Sequence, residues 1–108
     1  RREGEAAEPR AGIGEGIAVP HARMSQIERP CVIVALSQAG IDFDAPDGMP
    51  AHIVFLILTP PGDQDSQIRI LAEISRVFSV DSIKRLALRA KDHIEFIGAI
   101  GAAGARAE

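Results

Sequence analysis

Three histidines, His21, His52 and His93, are the residues of this 108-residue chain best suited to acid–base or nucleophilic work. His21 stands in the setting that favours it most. It follows Gly12-Ile13-Gly14-Glu15-Gly16-Ile17-Ala18-Val19-Pro20 and precedes Arg23 by two residues. Glycines at alternate positions let the backbone reach φ > 0 and approach another group closely. Pro20 fixes its own φ and holds Val19 extended. A histidine directly after so stiff an element is held rather than mobile. Neutral imidazole keeps an unprotonated ring nitrogen near physiological pH and can carry a group covalently. If that group is a phosphoryl, it needs cations and backbone N–H donors nearby. Arg23, with Arg2 and Arg10 upstream, supplies cations, and Gly14 and Gly16 expose N–H groups. On spacing alone the plainer alternative weighs more. It is a Gly-rich turn entering a strand that ends in an ordinary surface histidine, among ordinarily solvated arginines.

Other chemistry finds less support. His93 lies near a helix start among charges, where a solvated surface role is expected. His52 opens an apolar strand after Pro50, which suggests a structural role. No residues have zinc-ligand spacing, and no Gly-x-Ser-x-Gly elbow is present. Gly12-x-Gly14-x-Gly16 imitates part of a dinucleotide fingerprint, but the third glycine comes too early and no strand–helix frame surrounds it. Neither a metal nor an organic cofactor is expected.

Composition narrows the partners. Twelve basic and fifteen acidic residues give a net charge of −3, and there are four Phe but no Trp or Tyr. That balance argues against a nucleic-acid surface, and the core must be largely aliphatic. The length allows one domain with a modest core. A lone cysteine, Cys31, excludes an intrachain disulfide and fits a reducing compartment. Its place at the head of an apolar run predicts a buried small hydrophobe. No signal peptide and no apolar stretch of membrane-spanning length are seen, so a cytoplasmic location is expected. The absence of an initiator Met suggests a piece of a longer polypeptide.

The elements that must position His21 follow from patterning. Residues 1–11 read as the tail of a helix or a loop. Gly16 to Pro20 predicts a short strand. Cys31 to Leu36 is continuously apolar and predicts a strand covered on both faces. Ile41-Asp42-Phe43-Asp44 alternates like a half-buried edge strand, and Ala45 to Pro50 is turn chemistry. His52 to Leu58 predicts a second buried strand, stopped by Thr59-Pro60-Pro61-Gly62. Asp63 to Phe78 predicts a helix, with Asp63 or Asp65 as its cap. Two more helices are predicted, Asp81 to Arg89 and His93 to Ala103, with fraying from Gly101. The fold class is therefore α/β, a mixed β-sheet with flanking helices.

With those elements in place, Gly14-Glu15-Gly16-Ile17-Ala18-Val19-Pro20-His21 resembles the phospho-acceptor motif of the fructose/mannitol-class IIA domains of the bacterial phosphoenolpyruvate-dependent sugar phosphotransferase system. The nitrogen-regulatory IIA proteins share that motif. Arg2-Glu3 is similar to the family's Arg-Glu at a helix end, Gly40 to Asp44 to its short strand, and Val54 to Pro60 to the strand before its second site segment. The resemblance covers essentially the whole chain. It implies a phosphotransferase/anion-transport-protein-like fold over residues 1–108, lacking the family's N-terminal portion. A sheet face left bare by that portion favours self-association as a homodimer.

The resemblance also implies roles. His21 becomes the phosphoryl carrier, taking phosphate from an HPr-like phosphocarrier and passing it to a IIB domain. The protein is then a phosphotransferase acting on protein histidine. Arg2 becomes a phosphate-stabilising arginine, with Arg10 as its rival. One departure stands out. The family's second site histidine, in a His-Leu or His-Ile pair, is here Gln67-Ile68. Gln67 shares a helical face with Leu71, Ile74 and Phe78 and can donate to phosphate, but it does not change charge at neutral pH. The alternative is a regulatory module that controls a transporter, kinase or transcription factor through phosphorylation of His21, alone or fused to a membrane-associated transporter.

Overall fold

The structure is a computed structural model and describes residues 12–107. Five strands come first: β1 (Gly12–Gly14), β2 (Ile17–Ala18), β3 (His21–Arg23), β4 (Cys31–Ile41) and β5 (Ala51–Thr59). Three helices follow: α1 (Gln64–Phe78), α2 (Asp81–Leu88) and α3 (His93–Ala107). The sheet is mixed, as the sequence predicts. β5 is its axis. Along one edge of β5 lie β2 and then β3, both parallel to it. Along the other edge runs β4, antiparallel. β1 pairs antiparallel with β2 at the margin.

Of the predicted strand from Gly16 to Pro20 only β2 is regular, and Pro20 explains why it breaks before β3 begins at His21. It has no N–H to give the ladder. Its carbonyl still accepts from the Ile57 N–H at 2.9 Å, so the chain stays against β5 across the interruption.

β5 is apolar on both faces. Ile53, Phe55 and Ile57 point towards the helices and pack with Ile17, Ile74, Val77, Phe78, Ile83, Ala87, Phe96 and Ala99. Phe55 meets Phe78 edge-on, with ring centroids 5.5 Å apart, a favoured aromatic geometry. Val54 turns to the opposite face, where a smaller cluster joins Ala18, Ala51 and the half-buried Phe43.

α1 begins where Pro60-Pro61-Gly62 releases the chain from the sheet. Asp63 is its cap, and its carboxylate accepts the Ser66 N–H at 3.2 Å. Ile74, Val77 and Phe78 are buried at the helical period, as the spacing predicts. α2 buries Ile83 and Ala87 but leaves Leu86 56% exposed. α3 continues to Ala107, past the predicted end at Ala103. Among the described residues no helix is long and apolar enough to cross a membrane.

The region around β4 departs from the sequence reading. Cys31 to Leu36 is not covered on both faces. Val32, Ile33 and Val34 are 38%, 49% and 41% exposed, and Cys31 is exposed rather than a buried hydrophobe. An unbroken apolar run signals absence of alternation, and β4 shows that it does not by itself supply a second layer. Nor is residues 41–44 a separate edge strand. Ile41 closes β4, and Asp42 to Asp44 form a loop held by the Asp44 N–H on the Asp42 carboxylate at 2.9 Å.

Candidate functional site

His21 opens β3 opposite Ile57, near the C-terminal end of β5. The parallel register places Arg23 opposite Thr59, so His21, Arg23 and Thr59 share one face of the sheet. Thr59 is fully buried, and its Oγ1 lies 2.8 Å from His21 Nε2. The Thr59 carbonyl also accepts the Met24 N–H at 3.0 Å. One residue therefore clamps the imidazole ring through its hydroxyl and the end of β3 through its carbonyl. A half-buried histidine so held has little rotational freedom.

Electrostatics favour the neutral ring. Burial pushes the His21 pKa below its ordinary value, and the Arg23 cation lowers it further. Neutral imidazole with one nitrogen fixed against Thr59 offers a lone pair at neutral pH. Arg23, two residues on and on the same face of β3, is exposed and available to an anion brought to the ring.

The glycines lie elsewhere. Gly14, Glu15 and Gly16 all have positive φ, at 92°, 58° and 86°, and form the tight turn between β1 and β2. The Glu15 N–H goes to Asp47 Oδ2 at 2.8 Å, and Asp47 Oδ1 takes the Met49 N–H at 3.0 Å. These two bonds hold the Asp47 carboxyl below its usual pKa. The Glu15 side chain reaches Lys84 of α2 at 2.7 Å. The Gly16 carbonyl accepts the N–H groups of His52 and Ile53 at 2.8 and 3.0 Å. Gly14 and Gly16 thus sit at the Ile53 level of β5, whereas His21 sits at Ile57, roughly 13 Å along the strand. The expectation that their N–H groups stand beside His21 is not met. The turn instead fixes the start of the segment that ends in His21.

Gln67 lies in the first turns of α1 and is half-buried, next to the buried Ser66. Its helical face continues into Leu71 and the buried Ile74 and Phe78, as the period predicts. Among the described residues it makes no hydrogen bond to His21. Only four residues separate Thr59 from Gln64, so the strand end that holds His21 leads directly into the helix that carries Gln67. Arg2 and Arg10 lie outside the described residues. Thr59 and Asp47 were not readable as site residues. Thr59 matters only through the β3–β5 register, and Asp47 shows only as ordinary Asp-Gly turn chemistry. His93 is exposed, as expected.

Comparison with known proteins supplies what geometry alone does not. A family model described as "Phosphoenolpyruvate-dependent sugar phosphotransferase system, EIIA 2" matches residues 6–102. The "PTS system fructose-specific EIIA component" of Haloferax volcanii is 39% identical over 90 residues, 83% of this chain and 56% of that protein. The "Nitrogen regulatory protein" of Pseudomonas aeruginosa is 38% identical over 64 residues, 59% of this chain and 42% of that protein. Further matches include nitrogen regulatory proteins of Bradyrhizobium diazoefficiens and Klebsiella oxytoca. The crystal structure of nitrogen regulatory protein IIA-Ntr from Neisseria meningitidis aligns with a TM-score of 0.72 at 26% identity, covering 83% of this chain and 62% of that one. The chain therefore spans about half the length of these relatives, from 42% to 62%.

Proposed function

The chain belongs to the EIIA type 2 family of the phosphoenolpyruvate-dependent sugar phosphotransferase system, and from that premise we propose that it is a regulatory module whose state is phosphate on His21. The observation that carries the reading is the buried Thr59 hydroxyl on His21 Nε2, which fixes a ring kept neutral by burial and Arg23. An HPr-like phosphocarrier is the expected donor. In the transfer the donor's N–P bond breaks and a bond from a His21 ring nitrogen to the same phosphorus forms. The chain's part is positioning and charge neutralisation. Thr59 holds the ring and Arg23 faces the incoming charge. Arg2 or Arg10 adds a second cation, and Gln67 offers an uncharged amide donor where the family motif has a histidine. Gly14 and Gly16 shape the turn that sets the strand.

Regulation is favoured over relay on two grounds. Gln67 cannot take up or release a proton at neutral pH, which removes one means of driving phosphate onward. Several of the similar proteins carry nitrogen-regulatory names. A transport relay to a IIB domain is the second reading, supported by the fructose-specific name of the relative from Haloferax volcanii. To separate the two, the chain is phosphorylated with phosphoenolpyruvate, enzyme I and HPr and then divided between two assays. The regulatory reading expects capture of a transporter, kinase or transcription factor that differs between the phosphorylated and His21→Ala forms. It also expects slow loss of label to an added IIB domain. Rapid, complete discharge to IIB with equal partner capture by both forms would reverse the choice.

A further inference from the structure

Away from His21, at the opposite end of β5, His52 lines a cavity of about 330 Å³ between the end of β4 and the C-terminal end of α2. The register puts it roughly 16 Å from His21 along the strand. The cavity has a built wall. Between Leu36 and Ile41 the pairing of β4 with β5 shifts, and the irregular segment is closed by the Gly40 N–H on Ser37 Oγ at 3.0 Å. Such irregularities re-aim groups out of the ladder. Here the Ser37 carbonyl is turned to His52 Nδ1 at 2.9 Å.

That contact fixes the chemistry of the ring. A carbonyl only accepts, so Nδ1 carries the proton and Nε2 of the neutral ring is an acceptor. Among the described residues Nε2 has no hydrogen-bond partner. A side chain at Gly40, where φ is 87°, would come within 3.1 Å of its Cε1, so glycine there leaves room for the imidazole beside the Ser37 carbonyl.

The rest of the lining is of two kinds. Leu36 and Leu88 form an apolar side, and Arg89 and Lys91, with Gln38, give a cationic and polar side. The acids beside this wall are engaged with backbone, Glu95 accepting the Lys91 N–H at 3.0 Å and Asp92 the Glu95 N–H at 2.9 Å. A ligand matching all three features needs a hydroxyl to donate, an anionic group and a short aliphatic body.

We propose that this cavity is a second binding site, distinct from His21, for a short aliphatic hydroxy acid. The ligand hydroxyl donates to His52 Nε2, its carboxylate meets Arg89 and Lys91, and its chain lies on Leu36 and Leu88. Binding does not depend on whether His21 carries phosphate.

The test is amide and imidazole nitrogen NMR on the full chain, titrated with 2-hydroxyhexanoate, hexanoate and hexane-1,2-diol. 2-Hydroxyhexanoate is expected to cause saturable shifts at Gln38, Leu88, Ala90 and the His52 ring. Hexanoate, lacking the hydroxyl, is expected to bind about fivefold more weakly, and the diol, lacking the charge, about tenfold more weakly. A double variant of the exposed cations, Arg89→Gln with Lys91→Gln, is expected to lose about tenfold in affinity for 2-hydroxyhexanoate while keeping its spectrum elsewhere. Absence of saturable shifts, equal binding of the diol, undiminished binding to the double variant, or shifts confined to β3 would each overturn the proposal.

Discussion

At the residue scale one hydrogen bond and one charge set the state of His21. Thr59 Oγ1 and His21 Nε2 share a short hydrogen bond of 2.8 Å, and the threonine is fully buried. Thr59→Val keeps the shape of the side chain and removes the hydroxyl. It is expected to slow phosphorylation of His21 by about tenfold, read as the initial rate of label uptake. The charge is Arg23, whose cation adds to burial in lowering the His21 pKa. Arg23→Gln is expected to raise that pKa towards the ordinary value, read by following the imidazole Cε1 proton against pH. The sign for stability follows. The unfolded chain protonates this histidine more readily than the folded one, so stability rises with pH through the window below the unfolded value near 6.5. Above that window no penalty remains, and below it the folded state bears the full cost of leaving the ring uncharged or of charging it. Denaturant curves taken across that window should show a shallower dependence in His21→Gln than in the native chain. Sequence patterning identified His21 and its stiff lead but not its partner. Thr59 reads as the end of a strand before two prolines, and only the parallel register of β3 on β5 turns it into a site residue.

At the element scale the segment from Gly14 to Arg23 is a lever fixed at both ends. One end is the turn clipped to Asp47 and braced by Glu15 on Lys84, and the other is β3 clamped by Thr59. Gly16 has φ of 86°, and a side chain there would stand 2.8 Å from Leu88. Gly16→Ala is expected to destabilise the fold by about 2 kcal/mol, measured by denaturant unfolding. Asp47→Asn keeps the shape but weakens the acceptor, and the Glu15 amide is expected to exchange faster while α1 amides do not change. α1 was the most legible element, because its cap and its buried stripe are local features. β4 was the least legible. Its run from Cys31 to Leu36 specifies a strand but not how many layers cover it, since that depends on where the helices fall, and they pack on the Phe55 face of β5.

At the scale of the whole molecule, the mixed sheet and the family fold were legible because two apolar strands followed by three helices admit few arrangements. What was not legible is the division of labour along β5. Its C-terminal end holds His21 through Thr59, and its N-terminal end holds His52 and the glycine turn. Among the described residues β4 pairs on one side only, and its Ile33, 49% exposed, is a liability of the kind that Lys on an edge strand relieves. Ile33→Lys is therefore expected to raise the concentration at which the protein aggregates, measured by light scattering, without altering phosphorylation. The central claim is phosphate on one named histidine. Its most direct test is incubation of the native chain and His21→Ala with labelled phosphoenolpyruvate, enzyme I and HPr, followed by mapping of the label by mass spectrometry at alkaline pH, with acid lability read on a separate aliquot. The account predicts one acid-labile phosphate on the peptide containing His21 and none on His21→Ala; equal labelling of the variant, or label on His52 or His93, would contradict it.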